Sequence, residues 1–391
     1  MVAPLNPRAS AAGGALHVAI LGCRGIPARY GGFETFAEAI ATRLVKLGFR
    51  VTVYAEADGQ AVRETSYKEV VVRHVPRPRL GAGSALLYDC LALWDARRRY
   101  DLVYLLGYGA AWAAWLPRLW GTPVWINPDG LEWARAKWPW PVRVYLRAME
   151  WLATRTASRL IADSEAIAQR FRRLYGDRIR CETIAYGAVA PRPEDLQPAI
   201  LARWQLEPGR YALVVARPEP ENHILEIVQG YLAHTGDWPL VVVGDFSRPN
   251  RYQRRILQLS TARVRFLGAI HDRNVLDTLR YYAAVYLHGH SVGGTNPSLL
   301  EALACGNLII AHDNPYNREV AGDEALYFRT PADVAASLNR IVARRTAAVG
   351  RASPRAAARP LPLKYDWDWI ARRYAALIMT DCQRGKEKSD A

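Results

Sequence analysis

The feature that most constrains this chain is a rhythm: short, nearly continuous apolar runs alternate with longer stretches of helical periodicity, and the alternation runs through twice. Apolar runs without a polar residue at every second position are strands buried on both faces. Strand–helix alternation threads a parallel sheet covered by helices on both sides. The first pass places strands at 16–22, 51–54, 70–75, 102–106, 123–126 and 160–162, with helices at 34–47, 110–120, 142–157 and 164–174. The proline-rich stretch 191–208 reads as a linker. A second pass follows, with strands at 211–216, 239–244, 264–267, 284–288 and 308–311 and helices at 224–235, 251–259, 274–282 and 297–305. Residues 344–362, rich in Ala, Arg and Pro, read as a second linker, after which 365–379 regains helical character. The expectation is an α/β chain of two tandem Rossmann-like, doubly wound domains, 15–190 and 209–345. A C-terminal helix at 363–380 can pack back on the first domain, with ligand held between domains at the strand C-terminal ends.

Composition narrows the function classes. A chain of 391 residues is too long for one ordinary core. The five cysteines, Cys23, Cys90, Cys181, Cys305 and Cys382, include no C-x-x-C pair, which argues against a disulfide framework or a zinc site and fits a reducing compartment. The first apolar run reads as a strand rather than a leader, and the apolar region 102–125 is broken by Pro117 and Arg118, so no membrane span is expected. A net charge of +15, carried by arginine clusters at 97–99, 170–173 and 251–255, suits nucleic acid, anionic lipid or a phosphate-bearing substrate, and equally suits solvated helix faces.

Two stretches carry chemistry. The first, Gly22 to Glu34, lies between a strand and a helix; its glycines, with Gly31 and Gly32 at the far end, let backbone approach a ligand at a helix N-terminus. It is too long for the G-x-G-x-x-G turn of a dinucleotide-binding domain, and Glu56, past the second strand, is read as a surface carboxylate. The second, His288 to Glu301, ends a strand and opens a helix. Gly293 and Gly294 free the backbone, Thr295 or Asn296 can cap, and Pro297 suits the first turn. Amides there can hold a diphosphate without metal. Glu301, one turn on, is placed to accept from ribose hydroxyls or to form a helix salt bridge.

With these residues in view, the chain resembles the GT-B glycosyltransferases of the large retaining family (glycosyltransferase family 4 type) that includes sucrose and glycogen synthases. More narrowly, it is similar to bacterial rhamnosyltransferases acting on lipid-diphosphate-linked glucose or N-acetylglucosamine. The matching stretches are Tyr30-Gly31-Gly32-Phe33-Glu34, Asn127 to Trp133, Ala162-Asp163-Ser164, Glu221-Asn222 and His288 to Glu301, spread from about Leu16 to about Ala375. The resemblance implies a hexosyltransferase that moves L-rhamnose from dTDP-rhamnose, without metal or other cofactor, onto a lipid-linked acceptor in cell-surface polysaccharide synthesis. It further implies a protein peripheral on the cytoplasmic face of the membrane, with no nucleic-acid partner. Donor contacts fall to Gly31, Gly32, Glu221, Asn222, Gly293, Gly294, Thr295, Asn296, Ser298 and Glu301. Acceptor contacts fall to Tyr30, Phe33, Glu34, Glu132 and Trp133, and chemistry to Arg217, Asp129 and Asp163.

Two departures leave the donor open. The family's Glu-x7-Glu motif has Gly293 at its first acid, and its phosphate-binding Arg…Lys pair has Arg217 but Asn222 in place of lysine. The alternatives are a sugar-nucleotide epimerase of the same shape and a non-catalytic nucleotide-binding module. Basic and aromatic residues mix from Trp112 to Trp151. Trp138-Pro139-Trp140 beside Lys137 is the expected surface element, while Trp112, Trp115 and Trp120 suit either core or surface.

Overall fold

The computed structural model describes residues 14–28, 31–59, 61–78, 81–135, 137–347 and 361–389. It divides into two compact units: one holds the chain through Trp133 with 139–186 and the residues from Trp367 onward, the other holds 134–138 with 187–366.

The strands of the first unit are β1 (His17–Leu21), β2 (Arg50–Ala57), β3 (Arg63–Tyr67), β4 (Val70–Pro76), β5 (Leu102–Leu106), β6 (Val124–Asn127), β7 (Arg159–Ala162) and β8 (Cys181–Thr183). They form one sheet in the order β3-β4-β2-β1-β5-β6-β7-β8, parallel throughout except for β3, which pairs antiparallel at the edge. Its helices are α1 (Gly32–Lys46), α2 (Ser84–Ala96), α3 (Trp115–Arg118), α4 (Trp140–Thr156) and α5 (Glu165–Tyr175). The helix expected over 110–120 is broken into a 3-10 turn at Ala111–Ala113 and the single turn of α3, because Pro117 cannot donate within a continuous helix.

The second unit holds β9 (Ala212–Val215), β10 (Leu240–Val243), β11 (Val264–Gly268), β12 (Val285–His288), β13 (Leu308–His312) and β14 (Leu326–Phe328), all parallel, in the order β11-β10-β9-β12-β13-β14. Counted within the unit this is 3-2-1-4-5-6, the doubly wound order whose direction reverses between β9 and β12. Around it run α6 (Ile224–Ala233), α7 (Arg251–Leu257), α8 (Arg273–Tyr282), α9 (Pro297–Ala304), α10 (Pro315–Ala321) and α11 (Pro331–Ala347). Apolar clusters cover both sheet faces. The stretch read as a linker, 191–208, is instead part of this unit: Leu201 and Leu206 bury in the cluster with Leu279 and Tyr286. Most of the second expected linker lies outside the described residues.

The last helix, α12 (Trp367–Ser389), belongs to the first unit. Tyr374 Oη lies 3.1 Å from Oη of Tyr104 on β5, and Asp381 accepts from Nε1 of Trp125 on β6 at 2.9 Å and from Nη2 of Arg159 on β7 at 2.8 Å. No described helix is long and apolar enough to cross a membrane.

Candidate active site

In the second unit the switch point decides which residues meet. Strands β9 and β12 are neighbours, so Arg217, just past β9, and the His288–Asn296 loop, just past β12, emerge side by side. The loop is sewn to the turn at Pro220–Asn222. Ser291 donates from both its amide and its hydroxyl to the Glu221 carbonyl, and the His290 ring pairs with the Asn222 carboxamide at 2.8 Å. Asn222 Nδ2 donates to the Arg217 carbonyl at 2.8 Å, so Asn222, standing where the family has lysine, ties the two loops together. A Cβ on Gly289 would lie 2.0 Å from the Asn222 carbonyl oxygen, which is why glycine stands there.

Asn296 is the cap of α9, its side chain accepting from Ser298 N at 3.0 Å, and its carbonyl takes the Leu299 and Leu300 amides. The amides of Ser298, Leu299 and Leu300 are therefore met by Asn296 itself, and Gly293 turns the chain before the helix at φ 138°. Thr295 is buried, and Ser298 Oγ bonds to Tyr286 Oη and the Val215 carbonyl, locking the helix start to β9 and β12. Glu301 forms the salt bridge that was the alternative to a ribose contact: its Oε2 lies 2.6 Å from Nη2 of Arg280, a buried residue of α8. Nothing in the pattern of α8 marked Arg280 for this part.

The charge state of the site follows from burial. Enclosure pushes His288 down to about 3 and His290 well below the ordinary histidine range, with His288, Arg135 and Arg217 adding to the shift at His290, so both rings are neutral at physiological pH. Of the cations named here, Arg217 is the exposed one, while Arg135 is buried. Glu221 is buried; enclosure and then the neighbouring Glu219 carboxyl raise its pKa, against its own backbone amide and Arg135. Among the described residues no group of His, Cys, Asp or Glu is placed to hold a metal ion.

The first unit's glycine-rich loop is packed on its own sheet. A Cβ on Gly22 would meet the Leu106 carbonyl oxygen at 2.1 Å, one on Gly25 the Ala55 Cβ at 2.5 Å, and one on Gly31 the Glu34 carboxylate at 2.2 Å. Glu34 folds back to accept from Arg24 N at 3.0 Å, and Glu38 accepts from Ala28 N at 2.8 Å, so both carboxylates hold the loop in place. Gly32 opens α1, Phe33 packs beside Gly107, and Tyr30 lies outside the described residues.

Asp129 sits half-buried in a left-handed turn at φ 38°, its amide bonded to Asn127 Oδ1, whereas Asp163 is 2% exposed; burial first, and then the Asp163 charge among others, raises the phenols of Tyr104 and Tyr186. Ser164, not Asp163, caps α5. Glu132 opens a 3-10 turn, and Trp133 in that turn donates to buried Glu150 at 2.8 Å, with Arg147 and Arg170 over its ring. Asp89 escaped the sequence reading altogether. Enclosure and then Glu56 push its carboxyl up to about 8, against Arg77.

Comparison with known proteins accounts for both units. Residues 202–348 match the family described as Glycosyl transferases group 1, and residues 15–189 match a domain of unknown function, DUF1972. No curated protein sequence matches the chain. Among solved structures, sucrose-phosphate synthase from Thermosynechococcus elongatus is similar at TM-score 0.73 and 20% identity over 93% of this chain and 98% of that one. HepE of Anabaena, solved in complex with UDP and glucose, is similar at 0.64 and 19% over 96% and 99%. An alpha,alpha-trehalose-phosphate synthase (UDP-forming) from Burkholderia vietnamiensis is similar at 0.66 and 14% over 94% and 100%. The second unit thus matches a group 1 glycosyltransferase domain, and the chain as a whole has the GT-B fold of these neighbours.

Proposed function

We propose that the chain moves a sugar from a nucleoside diphosphate donor, L-rhamnose from dTDP-rhamnose, onto a sugar carried by a lipid diphosphate, with retention of anomeric configuration, in cell-surface polysaccharide synthesis. The donor half is supported by the neighbouring ends of β9 and β12: past one lies Arg217, past the other the amides of residues 293–296 and then Glu301 of α9. With His288 and His290 neutral, the diphosphate's charge falls to Arg217 and these amides, and the guanidinium can engage two phosphate oxygens at once. As the glycosidic bond to phosphate lengthens, charge grows on the leaving oxygen, and donors fixed beforehand stabilise that state more than the ground state. The donor phosphate itself takes the acceptor hydroxyl's proton on the same face, so no protein nucleophile and no metal is required. Glu301, held by Arg280, offers its carboxylate to the ribose. Asp129, in its turn past β6, is the candidate to orient the acceptor hydroxyl. The neighbours solved with UDP or described as UDP-forming support a nucleotide donor in general; the rhamnosyl donor and the lipid-linked acceptor rest on the motif resemblance.

The test is a thermal-shift screen of the full chain against nucleoside diphosphate sugars. A ligand at a hundred times its Kd stabilises the fold by about 2.7 kcal/mol. dTDP-rhamnose is expected to raise the melting temperature most. A larger shift with a UDP- or GDP-sugar would replace the donor, and no shift with any of them would overturn the reading.

A further inference from the structure

We infer that the outer face of α2, α3 and α4 in the first unit is a docking surface for an anionic lipid bilayer. Among the described residues, ten of the fourteen exposed large apolar side chains, including all six exposed tryptophans, fall between residues 84 and 156. Monomeric proteins rarely leave so much apolar surface in one place without a partner. On α2 the exposed residues Leu87, Leu91 and Trp94 follow i, i+4, i+7 spacing and form one stripe. On α4, Trp140, Val144, Arg147, Trp151 and Arg155 form another. Between them α3 presents Trp115, and the turn after it Leu119 at 63% and Trp120.

The three elements are neighbours in space. Helix α2 packs against α3, and the turn carrying Trp112 packs against both α3 and α4. The Arg97 guanidinium lies 3.9 Å from the Trp94 ring centre and 5.9 Å from that of Trp120, and Arg118 donates to the Thr156 carbonyl at the end of α4.

Charge selects the occupant. Every acidic side chain between 84 and 156 is buried or half-buried: Glu150 is fully enclosed and bound to Arg170, and Asp95 is spent on Arg73. Arg98, Arg99, Arg118, Arg147 and Arg155 are exposed on these helices or in the turn that follows α2, several over indole faces. Exposed tryptophan and leucine ringed by arginine, with no exposed acid, match the headgroup boundary of an anionic membrane, where indoles sit at the interface and guanidinium groups meet phosphate. A second copy of the chain would set this cationic face against itself, and a nucleic-acid backbone offers nothing to Leu87, Leu91, Leu119 or Val144.

This inference rests on the proposal that the acceptor is lipid-linked, so the experiment separates the two. The full chain is sedimented with vesicles of phosphatidylcholine alone and of phosphatidylcholine with phosphatidylglycerol, neither containing acceptor, and tryptophan emission is recorded. Binding is expected only with phosphatidylglycerol, with blue-shifted emission and loss at high salt. Arg98→Glu and Arg155→Glu should each weaken binding by at least about fivefold. The Leu119→Ser/Trp140→Ser double variant, altering residues 63% and 75% exposed, should weaken it at least about tenfold with an unchanged melting temperature. All variants should transfer sugar to a short-chain, detergent-dispersed acceptor as the parent does. Loss of that transfer in the parent would sink the acceptor proposal and leave the surface standing. Failure of the parent to bind anionic vesicles, wild-type binding by every variant, or a parent dimer that the double variant turns into monomer would overturn the docking surface.

Discussion

Replacing Glu301 should cost stability as well as donor binding, because its partner is buried. Arg280 is 4% exposed in its side chain and spends Nη2 on Glu301 at 2.6 Å, while the other carboxylate in reach, Asp277, lies 3.4 Å from Nη1. Arg280 Nε has no hydrogen-bond partner, so the guanidinium depends on these two acids. Breaking a buried pair by removing one partner costs about 3–5 kcal/mol. Asp277 remains, and the Glu301 side chain is 24% exposed. Glu301→Ala is therefore placed at the low end, about 3 kcal/mol, and Glu301→Gln, which keeps an acceptor but not the charge, at about 1.5 kcal/mol. For a unit of this size that lowers the second unit's melting temperature by roughly 6–12 °C for the alanine variant. Differential scanning calorimetry of the full chain reads the shift, and nucleotide titration at a temperature where the variants stay folded reads affinity. The Arg280→Met/Glu301→Leu double variant removes both charges and should recover most of the stability. It should not recover affinity if Glu301 also accepts from ribose. A Glu301→Ala melting temperature within about 1 °C of the parent would refute the buried-pair reasoning, and unchanged nucleotide affinity would remove the ribose role.

Other outcomes follow from the same structure. The Asp89 carboxyl keeps its proton to about pH 8 in the folded chain, against 3.8 as its ordinary value, so stability falls as pH rises through that window. Asp89→Asn should flatten the melting temperature between about pH 4 and 8, and parallel profiles for parent and variant would refute the shifted carboxyl. Because His288 and His290 are held neutral, donor affinity should stay flat from about pH 7 down to about pH 5.5, where an ordinary histidine would gain charge; a rise on acidification in calorimetry would mean they bind phosphate as cations. Arg217→Ala, at an exposed position, should leave melting within about 0.5 kcal/mol of the parent while lowering turnover at least a hundredfold, near the 2.7–4 kcal/mol typical of a lost oxyanion donor. Near-parental turnover would move the phosphate role elsewhere.

The alternation of buried strands and helices was legible because parallel strands are apolar on both faces. What escaped had no such pattern. Strand β3, Arg-Glu-Thr-Ser-Tyr, is polar on both faces at the sheet edge, and α2 carries apolar residues on its outer face as well as its inner one, so its amphipathic signal cancels. That cancellation is the same fact that marks α2 as a docking surface. In the second unit the sequence put Arg217 past one strand and the 288–296 loop past another, and the pairing of β9 with β12 makes those strand ends neighbours. Motif spacing could not see that Glu34 would turn back onto its own loop, that Arg280 would bind Glu301, or that Asp89 would be enclosed beside Glu56, because each depends on elements distant in the sequence.

Sugar transfer from a nucleotide onto a lipid-linked acceptor with retention is open to direct test. The most direct measurement incubates the full chain, with chelator present, with dTDP-rhamnose and a lipid-diphosphate N-acetylglucosamine acceptor, follows release of dTDP, and determines the anomeric configuration of the new linkage by NMR. The expected result is acceptor-dependent release of dTDP and a new linkage with the same anomeric configuration as the donor's bond to phosphate. Release independent of acceptor, no release until metal is restored, or an inverted linkage would contradict it.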